Sequence, residues 1–231
     1  MPPVITDVDE VLTTTRTVRF RMDFERPVER EVIEECLEIA QQATVGSNQE
    51  HWRFVAVTDP ETKHRIAELY RDVWVQTVEK PLAEGDPTTL ARLDPDNRDG
   101  DEAQRRQART LRGVKYLADH LEQVPVLVFA CSVAPQPPTP VGKLASGYYG
   151  SIFPAVWSFQ LALRSRGLGS VLATAAVYHA DEIAKILGLP EECALLSMVP
   201  VAYTQGLEFK RGARRPLDEI LSWEQWSLPS G

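Results

Sequence analysis

Residues 145–167, "ASGYYGSIFPAVWSFQLALRSRG", constrain this chain more than any other segment. From 148 to 163 the run is apolar nearly all round, and a helix of that kind lies inside a core or an interface. Gly167 ends it, because glycine accepts the left-handed conformation that closes a helix. Pro154 removes one backbone hydrogen bond within it and marks a place for a bend. A chain of 231 residues can bury one such helix. The aromatic load of Tyr148, Tyr149, Phe153, Trp157 and Phe159 nevertheless suits a surface shared by two copies. An obligate homodimer is the expectation.

The rest of the chain supplies strands and helices to pack around that element. Residues 6–14 read as a short helix. "RPVEREVIEECLEIAQQA" reads as a stronger one, with Val32, Ile33, Cys36, Leu37, Ile39 and Ala40 as its apolar stripe. "FVAV" reads as a buried strand. "DPETKHRIAELYRDVW" then restarts a helix, with Asp59 as N-cap and Pro60 in the first turn. Residues 79–100 are polar and rich in Pro, Asp and Gly, and read as an excursion rather than a domain linker. "PVLVFAC", "LGSVLA" and "ALLSMVPVAY" read as strands, "DEAQRRQARTLRGVKYLADHLEQV" and "HADEIAKILG" as helices. Strands and helices alternate unevenly around one sheet, so the class is α+β or α/β.

Net charge is −8, which disfavours nucleic acid and anionic membranes as partners. No apolar run reaches the roughly 18–20 residues of a membrane span, and the acidic start "MPPVITDVDEVL" lacks the layout of a signal peptide. Cys36, Cys131 and Cys193 lie far apart among apolar residues, as buried thiols of a reducing compartment do. The expected location is therefore cytoplasmic. The four histidines show no metal-ligand spacing with them. His51 and His179 read as surface or cap residues. "GLGSVL" has two glycines of a dinucleotide fingerprint but leads into a strand, so it fails that motif's context.

An anionic ligand would need arginines clustered against the global field. Arg16 and Arg19 stand at i and i+3, which a helical or turn backbone would bring to one side. Arg211, Arg214 and Arg215 form a second cluster. Between the first long helix and its strand lies "GSN", Gly46 to Asn48, a small hydrogen-bonding loop with Trp52 four residues on. Tyr70 and Trp74 either line a pocket near the excursion or face the core.

Taken in order, "TTTRTVRF", "GSNQEHWRFVAV", "GSIFPAVWSFQLALRSRGLGSVLAT", "VPVAY" and "RRPLDEILSW" resemble the FMN-dependent nitroreductase family over most of the chain, residues 13–226. The resemblance implies one domain over 1–231, with 75–112 as a variable lid. It implies an α+β fold with a central, mostly antiparallel sheet flanked by helices, in an intertwined homodimer holding FMN between subunits. The implied cofactor contacts are Arg16, Thr17, Arg19, Gly46, Ser47, Asn48 and Arg214, with Ala173, Thr174 and Ala175 acting through their backbone. Arginine suits the phosphate because its planar fork offers paired donors. Trp52 packs behind the loop. Thr44-Val45 and Glu50-His51 replace the family's Pro-Ser and Gln-Pro, which removes contacts from Val45 and Glu50.

The implied activity is ping-pong reduction of a nitroaromatic, quinone or related acceptor, with NAD(P)H as co-substrate. No catalytic side chain and no metal are implied, since the cofactor carries the chemistry. The same scaffold hosts dehalogenases, flavin-cleaving enzymes and peptide oxidases. A flavin-binding store or sensor is the non-enzymatic alternative.

Overall fold

Two apolar runs make the middle of the sheet, β3 (Val126–Ser132) and β5 (Ala194–Thr204). The computed structural model describes residues 3–85 and 102–227. Every residue of β3 is buried, as in a strand covered on both faces. β3 pairs antiparallel with β5 on one side and with β2 (Trp52–Val57) on the other. β1 (Met22–Asp23) and β4 (Leu168–Ser170) both pair antiparallel with β5. The order is β1-β5-β3-β2, with β4 on β5. Among the described residues the parallel contact is an isolated bridge between Thr17 and Ser170. This is the α+β architecture with an antiparallel sheet that the resemblance implied.

Seven helices flank the sheet among the described residues: α1 (Val8–Thr14), α2 (Arg30–Ala40), α3 (Pro60–Trp74), α4 (Lys80–Ala83), α5 (Glu102–His120), α6 (Lys143–Ser165) and α7 (Ala180–Leu187). The two-residue period of β3 divides the core. Val126, Val128 and Ala130 join Ile33 and Cys36 of α2 and Val156 and Phe159 of α6. Leu127, Phe129 and Cys131 face the other way, against Tyr70 of α3, Leu117 of α5 and Ile183 of α7. Phe129 and Phe159 are fully buried, each a gain of about 1.5–3 kcal/mol over exposure.

Asp59 caps α3 as expected, its Oδ2 accepting from the Thr62 backbone N–H at 2.8 Å. Such a cap contributes about 1 kcal/mol. The helical path does not stop at Trp74. A π-helical turn, Val75–Glu79, carries it into α4, with Val78 buried and the Trp74 indole donating to Glu79 at 2.7 Å. Residues 75–83 and 102–112 of the expected lid are therefore helical, because Val78, Ala108 and Leu111 keep core contacts at helical spacing. Residues 86–101 of that lid lie outside the described residues. Tyr70 and Trp74 belong to the core, 5% and 4% exposed, and line none of the cavities described below.

The central helix α6 runs through Pro154 without a break. It is not buried all round. Phe159 and Leu163 are sealed against the sheet, whereas Tyr149 and Trp157 are 36% and 44% exposed. Ile39 of α2, expected on the buried stripe, is 43% exposed. At the strand after α6, Gly167 adopts φ +81°. A Cβ on Gly169 would stand 2.7 Å from both Val18 and Thr204. The two glycines of "GLGSVL" thus serve a turn and a close strand approach.

Candidate functional site

The N-terminal arm leaves α1 extended. The Val18 N–H donates to Ser170 O at 3.0 Å, and Thr17 bridges to Ser170. The i, i+3 argument for Arg16 and Arg19 assumed a helix or turn, and the arm is instead docked along β4. Both side chains nevertheless reach one cavity, of about 590 Å³. Its polar wall holds Arg16, Thr17, Arg19, Arg109 and Arg214, and its apolar wall Phe20, Trp157 and Leu172. No aspartate or glutamate is among its described lining residues.

Three arginines carry the basic loop to this cavity. Arg16 Nη1 donates to Lys210 O at 2.8 Å. Arg21 donates through Nε and Nη2 to Gln205 O at 2.9 and 2.7 Å, and through Nη1 to Glu208 O at 2.7 Å. Arg164, 3% exposed, donates to Leu207 O at 2.8 Å and Thr14 Oγ1 at 3.2 Å. The Phe209 ring takes the guanidinium groups of Arg21 and Arg164 at 4.2 and 4.8 Å. Beyond this clamp, Arg214 lines the cavity, whereas Arg211 and Arg215 are absent from its lining.

Arg109 and Thr110 of α5 were missed by sequence reasoning. The available signal was Gly113 in the helix interior, which costs about 1 kcal/mol against alanine and so calls for a packing reason. A Cβ there would stand 3.2 Å from Arg19 Cδ and 3.3 Å from its Nη1. Gly113 lets Arg19 lie flat on α5. Burial lowers the Arg19 guanidinium pKa, and its Nε is buried without a hydrogen-bond partner among the described residues.

The Gly46–Asn48 loop lines a different cavity, of about 420 Å³, through Gly46 and Ser47. The Gly46 N–H donates to Ser151 Oγ at 3.1 Å, and that hydroxyl donates to Gly147 O at 2.6 Å. A Cβ on Gly46 would meet Ser151 Oγ at 3.0 Å, which is why glycine sits there. Ser47 and Asn48 both hold φ +53°, and Asn48 itself is not in the lining. Trp52 is 7% exposed and closes the cavity from behind, with Tyr148 and Ile152 of α6 on the facing wall. His51 also lines it, its Nε2 3.1 Å from Gln49 Oε1.

Ala173 is tied down by both backbone groups, its N–H to Met198 O at 2.8 Å and its carbonyl to Met198 N–H at 3.3 Å. It has no backbone donor left for a ligand. Thr174 and Ala175 open a 3₁₀ helix, Thr174–His179, whose first N–H groups lack partners within the helix. Leu172, immediately before, lines the arginine cavity. His179 ends the 3₁₀ helix and fastens it to α3, Nε2 standing 3.0 Å from Asp72 Oδ2. The three cysteines are free and buried, with Cys131 pushed up to about 12 by burial. Among the described residues no cluster fit to hold a metal occurs, and no helix is long and apolar enough to cross a membrane.

One helix separates the two cavities. Tyr148 and Trp157 are nine residues apart on α6, which is roughly 13 Å along the axis and about half a turn round it. Residues 12–203 match the sequence model of the nitroreductase family. The chain belongs to the nitroreductase family. This nitroreductase-family chain is 27% identical to iodotyrosine deiodinase 1 of Rattus norvegicus over 223 residues, 92% of this chain and 67% of that protein. It thus spans about two thirds of that relative's length. Its fold matches oxidized iodotyrosine deiodinase bound to FMN and 3-iodo-L-tyrosine with a TM-score of 0.68 at 21% identity, covering 95% of this chain and 100% of that one. An FMN- and NADPH-dependent nitroreductase mutant from sphigopyxis sp. strain HMH matches with a TM-score of 0.66 at 21% identity, covering 96% and 100%.

Proposed function

We propose that this protein is an FMN-dependent oxidoreductase that draws hydride from NAD(P)H and reduces a small aromatic or quinoid acceptor. The observation that carries the proposal is the arginine cavity, where Arg16, Arg19 and Arg214 converge with no carboxylate among the described lining residues, on a chain of net charge −8. A phosphate monoester brings about −1.5 to −2 charge near neutral pH, and guanidinium forks match its oxygens. Arg16, Arg214 and the unpartnered Nε of Arg19 would hold that phosphate, with Thr17 beside them. Phe20, Trp157 and Leu172 offer an apolar wall for a ring face. The N–H groups of Thr174 and Ala175, first in their 3₁₀ helix, suit its polar edge. The volume of about 590 Å³ lies within the roughly 300–1,000 Å³ usual for small-molecule sites. FMN, when bound, supplies a carrier that accepts and returns a hydride.

The working unit in this proposal is a homodimer. In one protomer the Gly46–Asn48 loop and the arginine cavity lie on opposite sides of α6 and line separate cavities. A second copy would bring its loop to this copy's arginines. Exposed Val8, Leu12 and Ile39 line a further groove with Leu161 of α6, an apolar surface for that contact. Three free, buried thiols support a reducing, cytoplasmic setting.

A reductive dehalogenase is the second reading, favoured by the identity with iodotyrosine deiodinase 1. The absorption spectrum of purified protein tests the class: oxidised-flavin bands from a cofactor that comigrates with FMN support it, and FAD or no flavin after reconstitution sinks it. Anaerobic NADPH should bleach those bands. Reoxidation by a nitroaromatic or a quinone, against reoxidation by 3-iodo-L-tyrosine, separates the two readings. Sedimentation should give twice the 25.9 kDa chain mass.

A further inference from the structure

The arginine cavity holds more positive charge than one phosphate requires. Arg16, Arg19 and Arg214 already provide three guanidinium groups, and Arg109 of α5 adds a fourth. Four like charges lining one cavity, with no carboxylate among the described lining residues, repel one another, and a bound anion relieves that cost. Arg109 also differs from its neighbours on α5. Arg106 pairs with Glu102, and Lys115 pairs with Asp119 at 3.0 Å. Among the described residues Arg109 forms no such pair; it faces the cavity instead.

Its placement is built. Gly113 lies one turn on along the same face of α5, and there the Arg19 side chain packs so close that a Cβ would require it to shift. Arg109 therefore stands a turn away from Arg19 on one wall, separate from the arm and basic loop that meet through Arg16 and Lys210. The same cavity presents Phe20, Trp157 and Leu172, 53%, 44% and 41% exposed, the wall proposed for the flavin ring. A cation beside that ring suits a flat reaction partner with a negative group at its edge.

We infer that Arg109 binds a carboxylate or phosphate group of the molecule that exchanges electrons with the flavin, so that the enzyme selects anionic over neutral substrates. The inference rests on the flavoenzyme reading above. The oxyanion has two possible sources: a carboxylated acceptor, or the additional phosphate that distinguishes NADPH from NADH.

The test uses flavin-loaded wild type, Arg109→Gln and Arg109→Lys. KM and kcat are measured for 4-nitrobenzoate against 4-nitrobenzamide, and for NADPH against NADH. Calorimetry measures binding of the two nitro compounds directly. Wild type should prefer the anionic member of at least one pair, through KM. Arg109→Gln should lose that preference roughly tenfold to a hundredfold, as expected for a charge-assisted contact, and Arg109→Lys should keep part of it. FMN affinity should stay within about twofold of wild type, because the proposed phosphate contacts, Arg16, Arg19 and Arg214, are retained in both variants. Loss in the nitrobenzoate pair assigns the acceptor; loss in the nucleotide pair assigns the reductant. No anionic preference in wild type, or one that survives in Arg109→Gln, overturns the inference. So does a tenfold loss of FMN affinity in Arg109→Gln, which would place Arg109 in the flavin clamp. If the protein binds no flavin, the underlying reading fails, and calorimetry on the same flavin-free proteins still decides Arg109: equal heats for both nitro compounds overturn it.

Discussion

The arginine cavity and the Gly46 cavity share α6 and little else. The first gathers the N-terminal arm, α5, α6, Leu172 and the basic loop, segments scattered over some two hundred residues. The second is made by the loop after α2, the ends of β2 and β3, and the first half of α6. The first is charged and held by side chains that donate to distant carbonyls, such as Arg21 to Gln205 and Glu208. The second is held by close backbone packing, Gly46 on Ser151. The contrast teaches that a motif list read as one site folds into two separate cavities of one protomer, which the proposed dimer would use as two halves of one site.

The largest effect should come from the element common to both. Phe159 is 0% exposed and packs on the sheet rather than on a partner. Phe159→Asp buries an unpaired charge and should cost more than about 4 kcal/mol, unfolding the chain in thermal or denaturant melts. Survival of a folded monomer would show that α6 is not the shared support.

Next comes the charged half-site. Arg214→Ala should cost on the order of 1.5–3 kcal/mol of FMN binding, a loss of roughly tenfold to a hundredfold in affinity, with the melting curve preserved because the residue is exposed. Unchanged affinity would move the phosphate away from this wall. Combining the halves gives a sharper test. Protomers carrying Arg214→Ala, mixed and refolded in equal amounts with protomers carrying Gly46→Val, should regain about a quarter of the wild-type flavin sites, since about half of the re-paired dimers are heterodimers and each of those has one of its two sites intact. No recovery would mean that both halves serve a ligand within one chain.

The smallest effect belongs to the Gly46 loop itself. Ser47 holds φ +53°, a left-handed conformation that costs an ordinary residue about 1–2 kcal/mol. Ser47→Gly should raise stability in chemical melts by about 1 kcal/mol, while leaving the arginine half untouched. A loss of stability would mean that the Ser47 side chain contributes more than its backbone strain removes.

Local features of the sequence determined much of this protein. The Asp59 cap, the Gly167 stop, the buried runs of β3 and β5 and the apolar face of α2 depend on neighbours a few residues apart, and they formed where that local chemistry places them. Arg16, Arg19 and Arg214 were also legible, because guanidinium clusters on an acidic chain have few uses. What the tertiary structure alone decided is where long-range pieces meet. Arg109 and Arg19 line one cavity where α5 packs against the arm at Gly113, a contact between residues far apart in the chain that no periodicity encodes. Ala173 spends both backbone groups on Met198, a strand partner chosen by the sheet. The Gly46 loop and the arginines ended on opposite sides of α6 because a helix turns about 100° per residue, and its facing depends on which side chains the sheet buries.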